Sequence, residues 1–225
     1  MIVIGIIPAR GGSKSIPLKN IKPLNGKPLI QYSIESAKVS GVIDRLIVST
    51  DHARIAETAS KFDGVEVIMR PAALSTDEAP TEWSLLHVCD ILEKNEGYIP
   101  DVVLTLESTS PLRSPDTIKR CVQIFEDTDA DSVIGVIELE HYPGIIKNGK
   151  YEFLINDGSR RRQDRKQLYM ESSTIYGSRI NLLKEKKAIL GENLYPLIIP
   201  KNEALDINEL WDFNLVEALI RYNNE

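Results

Sequence analysis

Two glycines and three cations stand together in one short stretch near the start of this 225-residue chain. They follow the apolar run 2–7, which is short and β-branched and therefore predicts a buried strand. Gly11 and Gly12 let backbone amides approach a bound anion, because no Cβ intervenes. The pattern predicts a loop that holds a polyphosphate at the end of a strand. The cations are Arg10, Lys14 and Lys19.

A surface turn with solvated charges is the competing interpretation of this stretch. It contains neither of the common phosphate-binding fingerprints, G-x-x-x-x-G-K followed by Ser or Thr, and G-x-G-x-x-G. The sequence therefore disfavours a P-loop kinase and a dinucleotide-binding oxidoreductase.

The mass and net charge of the chain limit the classes of protein and partner that are compatible with it. A mass of 25.2 kDa predicts a single domain over residues 1–225. The net charge of −6 and the pI near 5.3 argue against a nucleic-acid partner, which would need a basic stripe. No apolar run approaches the ~20 residues of a membrane span, and no signal peptide is evident, so we expect no membrane partner and a cytoplasmic location.

The cysteines and histidines offer no catalytic or metal-binding pattern. Cys89 and Cys121 lie far apart without a C-x-x-C motif, which disfavours a zinc site or a redox pair. His52, His87 and His141 lack the spacing of a catalytic triad or a metal site. Acyl-enzyme hydrolysis is therefore unsupported.

Strands and helices alternate along the first 136 residues. The predicted strands are 2–7, 45–49, 65–69, 101–106 and 132–136, and helices are predicted to begin near Pro28, Asp51, Pro80 and Ser114. A short helix at 180–187, a strand at 195–199 and a closing helix at 210–222 follow. This order predicts a doubly wound α/β fold with a mostly parallel sheet, whose ligands bind beyond the carboxyl ends of the strands. The loop beginning at Glu107 should therefore face the same cleft as Arg10.

Residues 138–170 interrupt the alternation. An Asn-Gly pair at 148–149, flanked by apolar pairs at 145–146 and 153–154, predicts a β-hairpin. Such a ribbon has no core of its own, so we expect an inserted dimerisation or lid arm that packs on a second subunit. The basic run 159–166 within the arm is either a solvated face or an anion-binding segment.

A carboxylate near the end of the chain is a candidate magnesium ligand. Mg²⁺ that carries a nucleotide triphosphate is usually held by one or two carboxylates and by phosphate oxygens. Residues two apart on an extended segment point the same way, so Asp206 and Asn208 could both face the ion. The alternative is that Asp206 caps the final helix.

The stretch 8–20 resembles the signature of the acylneuraminate cytidylyltransferases, the CMP-N-acetylneuraminic acid synthetase family. Segments 109–113 and 161–164 and the segment around Asp206 extend the resemblance over nearly the whole chain. The signature positions that match are Arg10, Ser13, Lys14, Pro17, Lys19 and Asn20.

The resemblance implies a Rossmann-like fold and a reaction with CTP and Mg²⁺. In that reaction the anomeric hydroxyl of an acidic keto-sugar, sialic acid or a relative, attacks the α-phosphorus, and pyrophosphate leaves. The implied catalytic residues are Arg10, Lys19 and Asp206, and the implied metal ligands are Asp206 and Asn208. The implied nucleotide-binding residues are Ala9, Arg10, Gly11, Gly12, Ser13, Lys14, Asn20, Arg70 and Ser75. The implied sugar-facing residues are Glu107, Thr109, Arg161, Arg162 and Gln163. The resemblance also implies a homodimer that forms through the arm.

Two departures from the family pattern leave the sugar open, and a third concerns the metal site. Glu107 stands where a glutamine is usual, 172–173 replaces Asn-Gly, and Asn208 replaces an aspartate. Two alternatives therefore remain: a related nucleotidyltransferase for another sugar, such as an octulosonate, and a nucleotide-binding module without catalysis. No general base stands out.

Overall fold

The computed structural model describes residues 1–155, 158 and 161–223. Its strands are β1 (Val3–Pro8), β2 (Pro23–Leu24), β3 (Lys27–Pro28), β4 (Arg45–Thr50), β5 (Val65–Met69), β6 (Val102–Thr105), β7 (Ser132–Glu138), β8 (Gly144–Lys147), β9 (Lys150–Phe153), β10 (Tyr169–Arg179) and β11 (Leu194–Ile198). Its α-helices are α1 (Leu29–Ser40), α2 (Ala53–Ala59), α3 (Thr81–Glu96), α4 (Pro115–Asp127) and α5 (Leu210–Asn223). Single 3₁₀ turns occupy Lys19–Ile21, Ala72–Leu74 and Arg162–Asp164, and the short helix predicted at 180–187 is one π-helical turn, Leu182–Lys186.

A seven-stranded sheet in the order β11-β7-β10-β6-β1-β4-β5 forms the centre of the fold. Its neighbouring strands run parallel, except that β10 is antiparallel to both β6 and β7. The mostly parallel α/β sheet predicted from the sequence is confirmed. Since β6 and β1 are neighbours near the middle of the sheet, the loops that follow them meet at the same edge.

Helices cover both faces of the sheet. Along β1, Val3 and Ile7 belong to one core cluster with residues of α1, α2 and α4, whereas Ile4 and Ile6 belong to another with residues of α3. A strand that is buried on both faces has a continuous apolar sequence, which is why β1 could be predicted from the sequence. A third cluster joins Ile16, in the loop after β1, to residues of α5.

Strand β10 was not predicted. It spans eleven residues, and its polar centre, 171–174, shows neither the alternation nor the apolar run typical of a strand. Its pairing with β7 shifts register between Glu171 and Tyr176, so the partner strands rather than the local pattern hold it in place.

Capping residues account for the ends of three helices, and one predicted helix start is corrected. Gly41, at φ 67°, ends α1, and Ser114 caps α4 by accepting from the Thr117 N–H. The prediction that Asp51 begins the second helix is wrong, because α2 is capped by His52, whose side chain accepts from the Arg54 N–H.

The predicted hairpin is present. Strands β8 and β9 pair with each other as a separate two-stranded ribbon around residues 148–149. Its apolar side chains are exposed: Ile146 is 80% exposed, and Tyr151, Phe153 and Leu154 are more than half exposed. Within the described residues, no helix has the length and apolar character needed to cross a bilayer.

Candidate functional site

The loop after β1 is fastened to the end of β4. The N–H of Ala9, a fully buried residue, donates to the Ser49 carbonyl over 2.9 Å, and the N–H of Gly11 donates to Asp51 Oδ1 over 2.9 Å. A Cβ at Gly11 would lie 2.6 Å from His52 Cδ2, whereas a Cβ at Gly12 would meet nothing within 4 Å. Gly11 therefore serves the close approach of the loop to α2, and its amide is engaged within the protein.

Two cations of the loop converge on one carboxylate. Arg10 Nη1 lies 2.5 Å from Asp77 Oδ1, and Lys14 Nζ lies 2.6 Å from Asp77 Oδ2. The hydrogen bonds from Lys14 and Arg10 hold the pKa of Asp77 below its usual value. A phosphate group would be gripped by the same two cations, because they already enclose an anion.

Asn20 and Lys19 connect this loop to other parts of the cleft. The Asn20 amide donates to the Arg10 carbonyl over 2.8 Å and its oxygen accepts from the Ser108 hydroxyl, so the buried Asn20 joins the loops after β1 and β6. These contacts hold the two loops together, and the expectation that Asn20 lies against the nucleotide stays a prediction. Lys19 Nζ donates to the Ile207 carbonyl over 2.7 Å, and burial lowers the pKa of Lys19.

Asp206 lies on a segment that both loops hold. The Ile207 N–H donates to the Thr109 carbonyl over 2.9 Å, and the Asn208 amide donates to Asp206 Oδ2 over 3.0 Å. Asp206 Oδ1 is buried and has no hydrogen-bond partner in the described part of the chain. The alternative that Asp206 caps the final helix is wrong, because Asp212 accepts from the backbone N–H groups of 208 and 209.

One cavity of about 240 Å³ lies at the carboxyl end of β1. Arg70 Nε and Ser75 Oγ are buried on its wall without a hydrogen-bond partner among the described residues, and burial lowers the pKa of Arg70. Such orphaned groups mark a place that a polar ligand would complete. Its lining includes Pro8, Arg10, Arg70, Ser75, Asp77, Thr81 and Glu107.

A second cavity of about 500 Å³ adjoins the first. Glu107 and Thr81 line both cavities, so the two are neighbours across these side chains. The lining of the second consists of Thr81, Glu82, Thr105, Glu107, Thr109, Glu171, Ser173, Tyr176, Ala188, Ile189, Leu190 and Asp206.

Glu107 is the titratable group at the junction. Burial, followed by the Asp206 carboxylate, raises the pKa of Glu107 to about 7. The buried Arg113 holds its backbone, since Arg113 Nη1 donates to the Glu107 carbonyl over 3.1 Å and to the Thr174 carbonyl over 2.6 Å. Burial lowers the pKa of Arg113 to about 10. The backbone that carries the Glu107 carboxylate is thus fixed where the two cavities meet.

The sequence profile of the cytidylyltransferase family matches residues 4–196, which include β1, β6 and both cavity-forming loops. The chain belongs to this family. The enzyme is 32% identical over 226 residues to a pseudaminic acid cytidylyltransferase of Campylobacter jejuni, an alignment that covers 98% of this chain and 97% of the relative. It is 33% identical over 217 residues to an N-acylneuraminate cytidylyltransferase of Streptococcus agalactiae, covering 93% of this chain and 51% of that relative.

Solved structures share the fold of this cytidylyltransferase. A CMP:2-keto-3-deoxy-manno-octonic acid synthetase complexed with CTP aligns with a TM-score of 0.75 at 17% identity, over 99% of this chain and 100% of that chain. A 4-diphosphocytidyl-2C-methyl-D-erythritol synthase of Anaerococcus prevotii aligns with a TM-score of 0.71 at 15% identity, over 98% of both chains.

The structure brings together most of the residues expected in the cleft but not the arginine run. Gln163 lines a different cavity, of about 430 Å³, at the base of the arm, and Arg161 is an exposed partner of Asp164 at 3.4 Å. The side chain of Arg162, like residues 159–160 of the basic run, lies outside the described part of the enzyme. Within one described chain, Arg161 and Gln163 do not line the cavity that holds Glu107 and Thr109.

Several residues of the cleft were missed by sequence reasoning. Asp51 and Asp77 take their roles from partners distant in sequence, which a local pattern does not show. Thr105 lies within an apolar run that signals only a strand. Glu171 and Tyr176, joined by a hydrogen bond of 2.7 Å, lie on the strand that was not predicted.

Proposed function

We propose that this enzyme transfers the cytidylyl group of CTP to an acidic sugar of the nonulosonic type, giving a CMP-sugar and pyrophosphate. The observation that carries the proposal is the pair of cavities that meet at Glu107, one beside the cations of the β1 loop and one beside Asp206. Two substrates that react with each other need two adjoining sites. The Campylobacter relative, matched over nearly its full length, is named for such a reaction.

The smaller cavity is the proposed nucleotide site. Arg10 and Lys14, which now enclose the Asp77 carboxylate, would grip the triphosphate together with Ser13 and Lys19. The unpartnered Arg70 and Ser75 side chains would meet the rest of the nucleotide. Gly12, whose surroundings are open, would allow the phosphates to come close to the backbone.

The chemistry requires a bond between the anomeric oxygen of the sugar and the α-phosphorus, while the bond from that phosphorus to pyrophosphate breaks. The chain supplies position and charge rather than a covalent intermediate. Arg10, Lys14 and Lys19 would neutralise the negative charge that the leaving pyrophosphate gains. Glu107 and Thr109, on the wall of the larger cavity, would contact the sugar.

Mg²⁺ belongs to the same proposal. Asp206 fits the role of its protein ligand, because Oδ1 is buried without a partner among the described residues and one carboxylate plus phosphate oxygens is a usual ligand set. The Asn208 side chain orients Asp206 by donating its amide N–H to Oδ2. Its amide oxygen would remain available as a second ligand for the cation. Bound there, Mg²⁺ would neutralise charge on the phosphates.

A homodimer that forms through the arm is also proposed. The β8–β9 ribbon exposes Ile146, Tyr151 and Phe153, and a lone two-stranded ribbon is marginally stable in water. A second copy would bury these side chains and would bring its own basic run to the cleft, where Arg161 and Gln163 of one described chain do not reach. Ile146→Glu should dissociate the dimer in sedimentation velocity, and an unchanged sedimentation coefficient would contradict this assembly.

The test is incubation with Mg²⁺, each of the four nucleoside triphosphates and a panel of acidic keto-sugars, followed by mass spectrometry. A CMP conjugate formed from CTP and a nonulosonic acid is the expected product. Arg10→Ala should lower the rate by about 10²-fold or more, because it removes charge stabilisation in the transition state. A conjugate formed only with an octulosonate would assign the enzyme to the related octulosonate synthetases instead. Nucleotide binding without turnover would contradict a catalytic function. The cytoplasm, where CTP is made, is the proposed location.

A further inference from the structure

The larger cavity has an unbalanced charge pattern. Four carboxylates line it, and among the described lining residues none is Lys, Arg or His. The four are Glu82, Glu107, Glu171 and Asp206. Carboxylates that share a partly desolvated space repel one another unless a cation or hydrogen-bond donors compensate them. Burial raises the pKa of Glu107, whereas Arg113, Arg70 and Lys19 each act to lower it. Lys19 also interacts with Asp206, so the uncompensated acidic charge lies away from the junction.

A buried hydroxyl gives an independent sign of a ligand. Thr105 is 0% exposed, lies at the end of β6 and lines the cavity, yet its Oγ1 has no hydrogen-bond partner among the described residues. Leaving such a group unpaired is costly, so native proteins rarely do it without a function. Tyr176, the neighbour of Thr105 across the β6–β10 pair, lines the same cavity. A polar ligand atom would complete this corner.

Two of the carboxylates remain open to a ligand. The side chains of Glu82 and Glu107 make no hydrogen bond or ion pair with the described residues, whereas Glu171 accepts from the Tyr176 hydroxyl over 2.7 Å. Asp206 is the proposed magnesium ligand. Glu107 lies at the junction of the two cavities. Glu82, in the first turn of α3, and Glu171 Oε2, on β10, line only the larger cavity and present acceptors from two different elements.

The placement of these carboxylates on different elements favours an organic cation over a metal ion. Within the described residues, no group of three or more His, Cys, Asp or Glu side chains is arranged to hold a metal. In a cavity of about 500 Å³, acceptors on separate walls suit a larger ligand with several N–H donors. The segment 188–190 adds an apolar wall against which a carbon skeleton can pack.

We propose that this cavity selects a nonulosonic sugar that carries a protonated amino or amidino substituent. The inference rests on the proposed function and specifies its sugar. In a 2-keto acid sugar the carboxylate is attached to the anomeric carbon, so it stays at the junction with the nucleotide cavity, whose wall includes Arg10 and Arg70. The substituted end extends away from the reacting carbon into the acidic cavity, where Glu82 and Glu171, which line this cavity alone, accept its N–H groups.

The test compares two sugars that differ in one group: a nine-carbon keto-acid sugar with an acetamido substituent and the same sugar with an acetamidino substituent. With CTP and Mg²⁺, kcat/KM for the cationic sugar should exceed that for the neutral one by about tenfold or more, since charge-assisted hydrogen bonds are roughly twice as strong as neutral ones. Glu82→Gln should reduce this preference several-fold and leave KM for CTP unchanged. The matched control is Glu185→Gln, an exposed residue outside the cavity lining, which should keep the preference.

Calorimetry with each sugar and no CTP separates failure of this inference from failure of the proposed function. If the neutral sugar is turned over as well as the cationic one, the inference is overturned and the proposed function stands. If neither is turned over but the cationic sugar binds more tightly and Glu82→Gln removes the difference, the inference stands and the proposed function falls. Equal binding without turnover contradicts both.

Discussion

Substituting the two adjacent glycines of the β1 loop by alanine should have very different effects. A Cβ at Gly11 would lie 2.6 Å from Cδ2, 2.8 Å from Cβ and 2.9 Å from Cγ of His52, all below ordinary contact. The loop and α2 must then move apart. Overpacking of this kind typically lowers the free energy of unfolding by about 1–3 kcal/mol. The same shift pulls the Gly11 N–H from Asp51 and displaces Arg10, and a misplacement of about 1 Å can cost about 10²-fold in rate.

Gly12→Ala is the matched control, because a Cβ there meets nothing within 4 Å. Neither glycine has a positive φ in the range that alanine avoids, so steric contact alone distinguishes the two variants. The midpoint temperature of thermal unfolding should fall for Gly11→Ala and change little for Gly12→Ala. The value of kcat/KM for CTP should also fall for Gly11→Ala, but Gly12 is itself a proposed phosphate contact and is therefore a control for stability alone. Adding His52→Gly should restore much of the loss, since it removes all three close atoms and glycine still serves as a helix N-cap. Equal unfolding midpoints for the two alanine variants would refute the steric argument.

Three further predictions concern charged groups of the cleft. Asp77→Asn should lower KM for CTP by about two- to fivefold, because it frees two exposed cations for the phosphates; Asp63→Asn, on the exposed surface, should not. Arg113→Met should cost about 3 kcal/mol in urea unfolding, since it removes buried hydrogen bonds to two carbonyls and to a serine hydroxyl; a loss below about 1 kcal/mol would contradict its role. Because the folded pKa of Glu107 is raised from 4.5 to about 7, the contribution of Glu107 to the stability of the metal-free enzyme should be fully present below pH 4.5 and should be lost, by about 3 kcal/mol, as pH rises through 7. Glu107→Gln should flatten that slope, and identical slopes for both proteins would show that another group titrates.

The sequence was informative where a residue acts through its own type and its immediate neighbours. The apolar run of β1, the Ser114 cap and the Asn-Gly turn at 148–149 each specify their structure locally, and each is observed. Strand β10 lacks such a local pattern, because its polar centre is held by pairing with β6 and β7. Its contribution to the cleft, Glu171 and Tyr176, could therefore not be inferred.

The same distinction applies to the candidate site. The cations after β1 could be identified from their type and spacing, but their partners could not. Asp77 is 67 residues from Arg10 in the chain, and Ser108 is 88 residues from Asn20. Glu107 was recognised as a departure from the family pattern, yet its raised pKa depends on burial and on Asp206, which only the folded chain brings together.

The contacts of Lys19 with Ile207 and of Ser15 with Asn208 join residues 188 and 193 positions apart. A ribosome must therefore synthesise nearly all of the described chain before the opening loop meets the segment that completes its cleft. Earlier nascent chains would hold Arg10, Lys14 and Lys19 without Asp206 beside them. Nucleotide capture should accordingly arise late in biogenesis, as one of the last steps of folding.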